Sequence, residues 1–357
     1  MEPTRDAILA ALGTVIDPEL QRPVTELDMV RDIVVEDGVV SLTIVLTIAG
    51  CPLRDSFERQ VEQAFATVSG VRGFSLSFGV MTPDERQALT TKLRGGATER
   101  DNVVRLPRSC RVIAVASGKG GVGKSSLTAN LGIAFSQMGK RVGILDADIY
   151  GHSIPHILGI HQKPVAVDEM IVPPVKDNLK LMSIGFFLDD NEPVMWRGPM
   201  LHRALEQFLT DVHWGEIDVL VVDMPPGTGD VSISLGQLLP RAEVVVVTTP
   251  QKLAQDVAAR AASMARKTNM RLLGVIENMT GEIFGSGGGE ALAAQLDVPL
   301  LGQVPLDPLL REQGDAGVPI VASHPDSESA QVIVRIAEAI DARREAGSIV
   351  KSLPLVS

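Results

Sequence analysis

Residues 112–126 read Val112-Ile113-Ala114-Val115-Ala116-Ser117-Gly118-Lys119-Gly120-Gly121-Val122-Gly123-Lys124-Ser125-Ser126. An apolar strand runs into a glycine-rich loop, which ends with a lysine and a serine before a helical stretch. From Gly118 onward the loop satisfies G-x-x-x-x-G-K-[ST], the pattern of a phosphate-binding loop. Its glycines let backbone N–H groups approach phosphate oxygens, and the helix that follows directs its positive end at the same anion. The sequence therefore predicts a nucleotide phosphate site.

The polar residues of this loop have separate expected roles. We expect Lys124 to bridge the β- and γ-phosphates of ATP, and the Ser125 hydroxyl to ligate Mg²⁺. Lys119 is an additional cation that can stabilise negative charge on the transferred phosphoryl group. A glycine-rich turn without a ligand is the alternative, which the agreement of strand, loop and helix disfavours. The predicted nucleotide-binding set in the loop is Gly118, Lys119, Gly120, Gly121, Val122, Gly123, Lys124, Ser125 and Ser126.

Acidic residues end two further apolar strands. Asp146 and Asp148 follow one strand, and Asp223 directly follows the run Val219–Val222. Ligands of open parallel sheets bind at the carboxyl ends of the strands, so these acids and the phosphate loop should converge. A single aspartate at a strand end is often only a helix cap, but three beside an intact phosphate loop indicate a functional site.

Two regions of the chain differ in pattern. Residues 1–94 show helix, hairpin, helix, strand and helix, with Asp37-Gly38 as the hairpin turn, and we predict a small α+β domain. Residues 95–109 form a glycine-containing polar linker. Residues 110–357 alternate continuous apolar strands with helices, which indicates an α/β fold, a parallel-sheet P-loop NTPase domain covered on both faces. The predicted strands are Val112–Ala116, Val142–Leu145, Leu179–Ile184, Val219–Val222, Val244–Val247, Leu272–Ile276 and Leu300–Val304.

Composition restricts the partners and the compartment. The 357 residues carry a formal charge of −11 and only 3% aromatic side chains, so we expect neither nucleic acid nor stacked bases as partners. No apolar stretch is long enough to span a bilayer, and the N-terminus lacks an apolar signal core. The two cysteines, Cys51 and Cys110, are too few for a disulfide framework, which favours a cytoplasmic protein.

The loop form K-G-G-x-G-K-S resembles the deviant Walker A loop of the MinD/ParA/nitrogenase-iron-protein class. This resemblance implies that ATP closes a homodimer in which Lys119 reaches the partner's nucleotide. It also implies that Lys124 and Lys119 are catalytic cations and that Asp148 positions the attacking water. By the same resemblance Asp223 is the Walker B acid that holds Mg²⁺ through water, Asp146 supports the metal shell, and Asn278 contacts the purine.

Longer strings are similar to the Mrp/ApbC family of iron–sulfur cluster carriers. They are Asp146–Pro155, Trp196–Met200, Asp223–Asp230 and Glu277–Met279. Asp17-Pro18-Glu19-Leu20 and Cys51-Pro52-Leu53 resemble the small domain found alone in PaaD/SufT-like assembly factors. The resemblance implies an ATP-hydrolysing carrier that binds an iron–sulfur cluster between two subunits and delivers it to apoprotein recipients, alongside iron–sulfur assembly factors.

One departure from that family concerns the cluster ligands. Carriers usually have C-x-x-C shortly after the Asn-Met string, so that two subunits supply four thiolates. Residues 278–289 contain no cysteine. Cys51 is the remaining candidate, because a position before a helix start favours the thiolate, although a small buried residue at a strand-to-helix corner is an equal alternative. Cys110 has no partner spacing and is expected to be incidental.

Two alternative functions stay open at this point. The missing cysteine pair is compatible with a nucleotide-switched scaffold that recruits assembly factors without holding a cluster. A positioning ATPase of the MinD/ParA kind would need a membrane-seeking C-terminal helix or a basic face for DNA. Acids interrupt the C-terminal stripe of Val332, Ile336 and Ile340, so we expect that helix to pack on the sheet. Dinucleotide binding is disfavoured, since the loop lacks the Rossmann glycine spacing.

Overall fold

A computed structural model describes residues 2–47, 54–93, 104, 106–107, 109–149, 151–188 and 198–347. The chain divides into two compact units. The first comprises Met1–Asn102 together with Pro164–Pro173 and Asp211–His213, and the second comprises the rest of the chain.

The first unit contains three helices and a three-stranded sheet among its described N-terminal residues. They are α1 (Arg5–Leu12), β1 (Val30–Glu36), β2 (Val39–Leu46), α2 (Arg54–Phe65), β3 (Gly73–Val80) and α3 (Pro83–Leu93). β2 pairs antiparallel with β1 and parallel with β3. Asp37 and Gly38 form the turn with φ of 50° and 79°, values that suit a tight hairpin. The predicted order of elements is confirmed.

The core of this unit includes a distant part of the chain. Leu42, Ile44 and Leu46 alternate along β2, point to one face of the sheet and are buried. The hairpin of β6 (Val165–Val167) and β7 (Met170–Val172) adds apolar side chains to the same cluster. Thr90 on α3 also donates a hydrogen bond to the Val167 carbonyl at 3.3 Å. The sequence did not indicate this addition, and the boundaries at 94 and 110 stay a prediction.

The described part of the second unit is built on an eight-stranded sheet. Its order is β13-β12-β11-β4-β10-β5-β9-β8. The strands are β4 (Arg111–Ser117), β5 (Val142–Asp146), β8 (Val175–Lys176), β9 (Leu179–Ser183), β10 (Val219–Asp223), β11 (Glu243–Thr248), β12 (Arg271–Thr280) and β13 (Leu300–Pro305). All seven predicted strands are present and pair in parallel, which confirms the α/β fold; β8 is an antiparallel edge. Ile184 was predicted in a strand but begins a short 3-10 helix.

Helices follow the strands of the second unit. They are α4 (Lys124–Gln137), α5 (Ile154–Leu158), α6 (Gly198–Thr210), α7 (Asp230–Leu238), α8 (Lys252–Lys267), α9 (Gly288–Leu296), α10 (Pro308–Asp315), α11 (Ile320–Ser323) and α12 (Glu328–Gly347). α12 packs against α4 and β13, where it buries Val332, Ile336 and Ile340 as predicted. Within the described ranges, no helix is both long and apolar enough to cross a membrane.

Candidate functional site

The phosphate loop leaves β4 in the interior of the sheet, between β10 and β11. Gly123 caps α4 with φ of 81°, a left-handed conformation that favours glycine. A Cβ atom there would lie 2.2 Å from Nδ2 of Asn278, so the loop and the end of β12 touch directly. The glycine in the predicted pattern is therefore required both by backbone conformation and by close packing.

The predicted acids converge on the lysine of this loop. Asp223 and Asp146 are paired in register on β10 and β5, which brings their side chains to one edge of the sheet. The Lys124 ammonium lies 2.7 Å from Oδ2 of Asp223 and 3.4 Å from Oδ2 of Asp148. Ser125 donates its hydroxyl to the same Oδ2 of Asp223 at 2.6 Å. The structure thus brings together three acids, a lysine and a serine that are far apart in sequence.

Asp223 is completely buried, and both of its carboxylate oxygens have partners. Besides Ser125, Thr128 donates its hydroxyl to Oδ1 at 2.8 Å. Thr128 was not predicted as a site residue. Its position four residues after Lys124 places it on the same face of α4, which is a signal that the sequence did contain.

Asp146 is also completely buried and accepts two hydrogen bonds. Ser183, its register partner on β9, donates its hydroxyl at 2.9 Å, and the backbone N–H of Asp148 donates at 3.3 Å. Burial raises the pKa of Asp146 well above its ordinary value, and the neighbouring charge of Asp223 raises it further. Ser183 was not predicted, because a serine after an apolar strand carries no distinctive signal.

Asn278 lies at the end of β12 with only 2% of its surface exposed. Its Nδ2 donates to the Val122 carbonyl of the phosphate loop at 2.9 Å. A flipped amide would put two acceptors face to face, so this contact fixes the orientation of the side chain. Oδ1 is buried and has no hydrogen-bond partner among the described residues. A donor from a ligand or from an ordered water can satisfy such an atom.

The loop after β12 is held by a residue that the site prediction did not include. Glu277 is completely buried and accepts from the backbone N–H groups of Gly287 and Gly289 at 3.1 and 3.0 Å. Gln303 donates its side-chain amide to the same carboxylate at 2.6 Å. Across the loop, Gly281 and Gly285 exchange two backbone hydrogen bonds. The loop where carriers usually have C-x-x-C is therefore a defined backbone turn without a thiol.

A cleft of about 420 Å³ lies over the phosphate loop and is lined by Lys119, Lys124, Ser125 and Asp148, among others. Lys119 is half-buried and has no ion pair within the described residues. Among the residues that the structure describes, no three His, Cys, Asp or Glu side chains are grouped as a metal site. Mg²⁺ in nucleotide enzymes takes only one or two carboxylates plus phosphates, so Ser125 and Asp223 are a fitting donor set. Cys51 lies outside the described residues.

Known protein families and individual proteins are similar to this chain in sequence. The family described as NUBPL iron-transfer P-loop NTPase matches residues 109–341, and the family described as iron-sulfur cluster assembly protein matches residues 5–75. The iron-sulfur cluster carrier protein of Mycobacterium leprae is 50% identical over 95% of this chain and 93% of its own length. That of Synechocystis sp. is 42% identical over 94% of this chain and 97% of its own length.

Solved structures resemble the second unit. The septum site-determining protein MinD of Pyrococcus horikoshii, complexed with Mg-ADP, has a TM-score of 0.53 and 26% identity, over 67% of this chain and 98% of its own. A nucleotide-binding protein of Archaeoglobus fulgidus in complex with ADP has a TM-score of 0.52 and 37% identity, over 58% of this chain and 87% of its own. The MinD-like fold and the resemblance noted from the sequence are confirmed.

Proposed function

Because this chain belongs to the NUBPL iron-transfer P-loop NTPase family, we propose that it hydrolyses ATP and carries iron–sulfur clusters to apoproteins as a homodimer. One observation carries the ATPase part: Lys124, Ser125 and the buried Asp223 meet at the end of the phosphate loop. The carrier part is supported by 50% identity, over 95% of the chain, to a protein named as an iron-sulfur cluster carrier.

Nucleotide phosphates would bind at the glycine-rich loop. The N-terminal end of α4 and the backbone N–H groups of the loop attract the phosphate oxygens. Lys124 then exchanges its contacts with Asp223 and Asp148 for the β- and γ-phosphates. Ser125 and, through water, Asp223 would hold Mg²⁺, which neutralises phosphate charge when bound. These assignments repeat the predicted roles, and the distances support them.

The base recognised at Asn278 would be adenine. One N–H of Nδ2 donates to Val122, and the buried acceptor Oδ1, which has no partner among the described residues, is the atom that we expect to face the purine. The 6-amino group of adenine supplies a donor, whereas guanine presents the acceptor O6 at the same position. Leaving a buried acceptor without a donor costs about 1–3 kcal/mol, so this contact favours ATP over GTP.

Hydrolysis would depend on Asp148 and Lys119. Asp148 lines the cleft next to Lys124 and is suited to orient the attacking water. Lys119 lines the same cleft, and the Ser117 hydroxyl donates to its carbonyl at 3.0 Å, which orders the loop backbone. An ammonium at this point can reach a phosphate charge, and in a homodimer that charge belongs to the partner's nucleotide.

The iron–sulfur cluster, which is the proposed cargo, has few candidate ligands in this chain. The loop after β12 contains no cysteine, which leaves Cys51 of each subunit as the thiolate for a shared cluster. The same loop favours a second candidate function, a nucleotide-switched scaffold that recruits assembly factors without holding a cluster. In that case the N-terminal unit, which matches an assembly-protein family, would supply the partner contacts.

Anaerobic reconstitution of the full chain distinguishes these two functions. Iron and sulfide are counted per chain for wild type, Cys51→Ala and the matched control Cys110→Ala, and ATP hydrolysis is measured on the same samples. We expect wild type and Cys110→Ala to hold a cluster and to pass it to an apoprotein, and Cys51→Ala to hold none. If none of the three holds iron while hydrolysis persists, the carrier function is wrong and the scaffold is the better account.

A further inference from the structure

A second groove of about 400 Å³ lies on the surface of α8, outside the nucleotide cleft. One wall is Thr228, from the loop that follows β10. The rest is one face of α8, contributed by Ala259, Arg260, Ser263, Met264 and Lys267. The lining combines two small side chains, Ala259 and Ser263, with two basic side chains, Arg260 and Lys267. The groove therefore carries two positive charges on one face of α8.

These two cations differ from the others on the same helix. Lys252 pairs with Asp256 at 3.1 Å, and Arg266 donates to the Leu296 carbonyl. Arg260 and Lys267 are exposed, and neither has an ion pair or hydrogen bond within the described ranges of the chain. Their charges are thus available to a ligand, on a chain whose formal net charge is −11.

The spacing of the two cations indicates the size of that ligand. Seven residues separate them, which is about 10.5 Å along a helix and returns to the same face. A single phosphate ion cannot span this distance. Two carboxylates three residues apart on an extended chain of the polyproline II type lie on the same face, about 9 Å apart.

We propose that this groove docks an acidic, extended segment of a partner protein, with carboxylates against Arg260 and Lys267. The inference goes beyond the proposed carrier function and does not depend on a bound cluster. Free phosphate, anionic lipid and nucleic acid are the competing ligands, and the experiment below tests each of them.

The groove is connected to the phosphate loop by two direct contacts. Thr228 belongs to the loop after Asp223, in which the backbone N–H of Gly227 donates to the Ser117 carbonyl at 2.8 Å. On the other wall, α8 packs so closely that a Cβ atom on Gly118 would lie 2.2 Å from the carbonyl carbon of Val257. Both walls thus touch the phosphate loop, at which we propose that the nucleotide binds. Peptide affinity should therefore differ between the ADP and the ATP-analogue states, and by linkage the peptide should shift nucleotide affinity equally.

The test measures binding of a fluorescent peptide to the full chain by anisotropy at low ionic strength. The probe is Gly-Glu-Ser-Ser-Glu-Gly, and its isomer Gly-Ser-Glu-Glu-Ser-Gly has the same charge with adjacent carboxylates. Binding is compared for wild type, the double variant Arg260→Glu/Lys267→Glu, and its neutral form Arg260→Gln/Lys267→Gln. The matched control is Arg335→Glu, an exposed arginine on α12 without a partner in the described residues. Inorganic phosphate, phosphatidylglycerol vesicles and duplex DNA are added as competitors.

We expect the spaced peptide to bind more tightly than its isomer. The double charge reversal should weaken binding by about tenfold or more, whereas Arg335→Glu should stay within about twofold. Melting curves and ATP hydrolysis should match wild type, because both side chains lie outside the nucleotide cleft. The proposal is wrong if the isomer binds equally well, or if Arg335→Glu causes the same loss. It is equally wrong if vesicles, DNA or phosphate bind through Arg260 and Lys267 while the peptide does not.

Discussion

The phosphate loop and the loop after β12 lie at the same edge of one sheet and are built in opposite ways. At the phosphate loop, charged side chains converge: Lys124 contacts Asp223 and Asp148 within 3.4 Å. In the loop after β12, the buried charge of Glu277 shapes the backbone, because its carboxylate accepts from two loop N–H groups and from Gln303. The first region contains the charged groups that the proposed nucleotide chemistry requires. The second region is an ordered backbone turn that contains no cysteine to bind a cluster.

The two regions are built from separate parts of the chain. The nucleotide groups come from β4, α4, β5 and β10, whereas the turn after β12 depends on Glu277 and its own glycines. Asn278 is the direct contact between the two regions, through its bond to Val122.

The largest expected effect is the all-or-none gain of a cluster in the loop after β12. In a Cys51→Ala background, the double variant Thr280→Cys/Ile283→Cys creates C-x-x-C at the end of β12. Neither position has a positive φ, so both accept a cysteine without backbone strain, and the side chain of Ile283 is 77% exposed. Four thiolates from two subunits hold one four-iron cluster, so we expect about two iron atoms per chain. Iron and sulfide analysis after anaerobic reconstitution measures this gain.

Each single cysteine variant is the control, because neither one completes the C-x-x-C pair that the double variant creates in this loop. If the double variant gains no iron although it folds and hydrolyses ATP, the missing thiolates are not all that separates this loop from a cluster site.

The next effect is on catalysis at the phosphate loop. Lys124→Ala removes the ammonium that faces Asp223 and Asp148, and we expect kcat for ATP hydrolysis to fall about a thousandfold. Glu282→Ala, an exposed change in the other loop, should leave hydrolysis unchanged. Equal losses in both variants would contradict the separation of the two regions.

A third prediction concerns the packing that positions the phosphate loop. Gly118→Ala would place a methyl group against the backbone of α8, and we expect the free energy of unfolding to fall by about 3 kcal/mol. Gly120→Ala is the matched control two residues away, because nothing lies within 4 Å of its Cβ position. Urea denaturation of both variants measures the difference, and equal stabilities would refute the close approach of α8.

The smallest expected effect is a pH dependence of stability. It follows from a comparison of two buried acids, Asp146 and Glu19. Asp146 has a serine and a backbone donor, whereas Oε1 of Glu19 has no partner among the described residues. Burial, and then the charge of Asp17, raises the pKa of Glu19 to about 7. Between its unfolded pKa of 4.5 and that value the native state binds more protons, so stability falls as pH rises through this window and levels off above it.

Glu19→Gln should remove this dependence, which we expect to be about 2 kcal/mol between pH 5 and pH 8. Urea denaturation of wild type and variant at both pH values provides the measurement. If the difference in stability between wild type and Glu19→Gln is the same at pH 5 and at pH 8, the raised pKa of Glu19 is wrong.

The sequence predicted the sheet and the convergence of the acids because both follow from local patterns. Seven apolar runs became seven parallel strands, and acids placed directly after two of them had to reach the same edge. Thr128, Ser183 and Glu277 were missed as site residues. Hydroxyl groups are common on helices and strand ends, and their partners are fixed only when strands adopt their register. The contacts of Glu277 depend on the backbone conformation of the loop after β12, which its glycines leave undetermined in the sequence.

The first unit also contains a segment that no local sequence pattern assigned to it. Its helices, hairpin and strand followed from periodicity and turn residues, but the hairpin Pro164–Pro173 joins the same core from far along the chain. Periodicity reports which face of an element is buried, not which distant segment covers it.

The sequence by itself determined the phosphate loop, the parallel sheet, the acids at its edge and the absence of cysteine from the loop after β12, because each is a local arrangement of residue types. Only the tertiary structure decided which atoms meet. It orients the Asn278 amide through Val122, leaves Oδ1 as the free acceptor, and places Thr228 beside Arg260 and Lys267. Such contacts depend on strand order and on helix packing across the fold, which no single segment of the chain encodes.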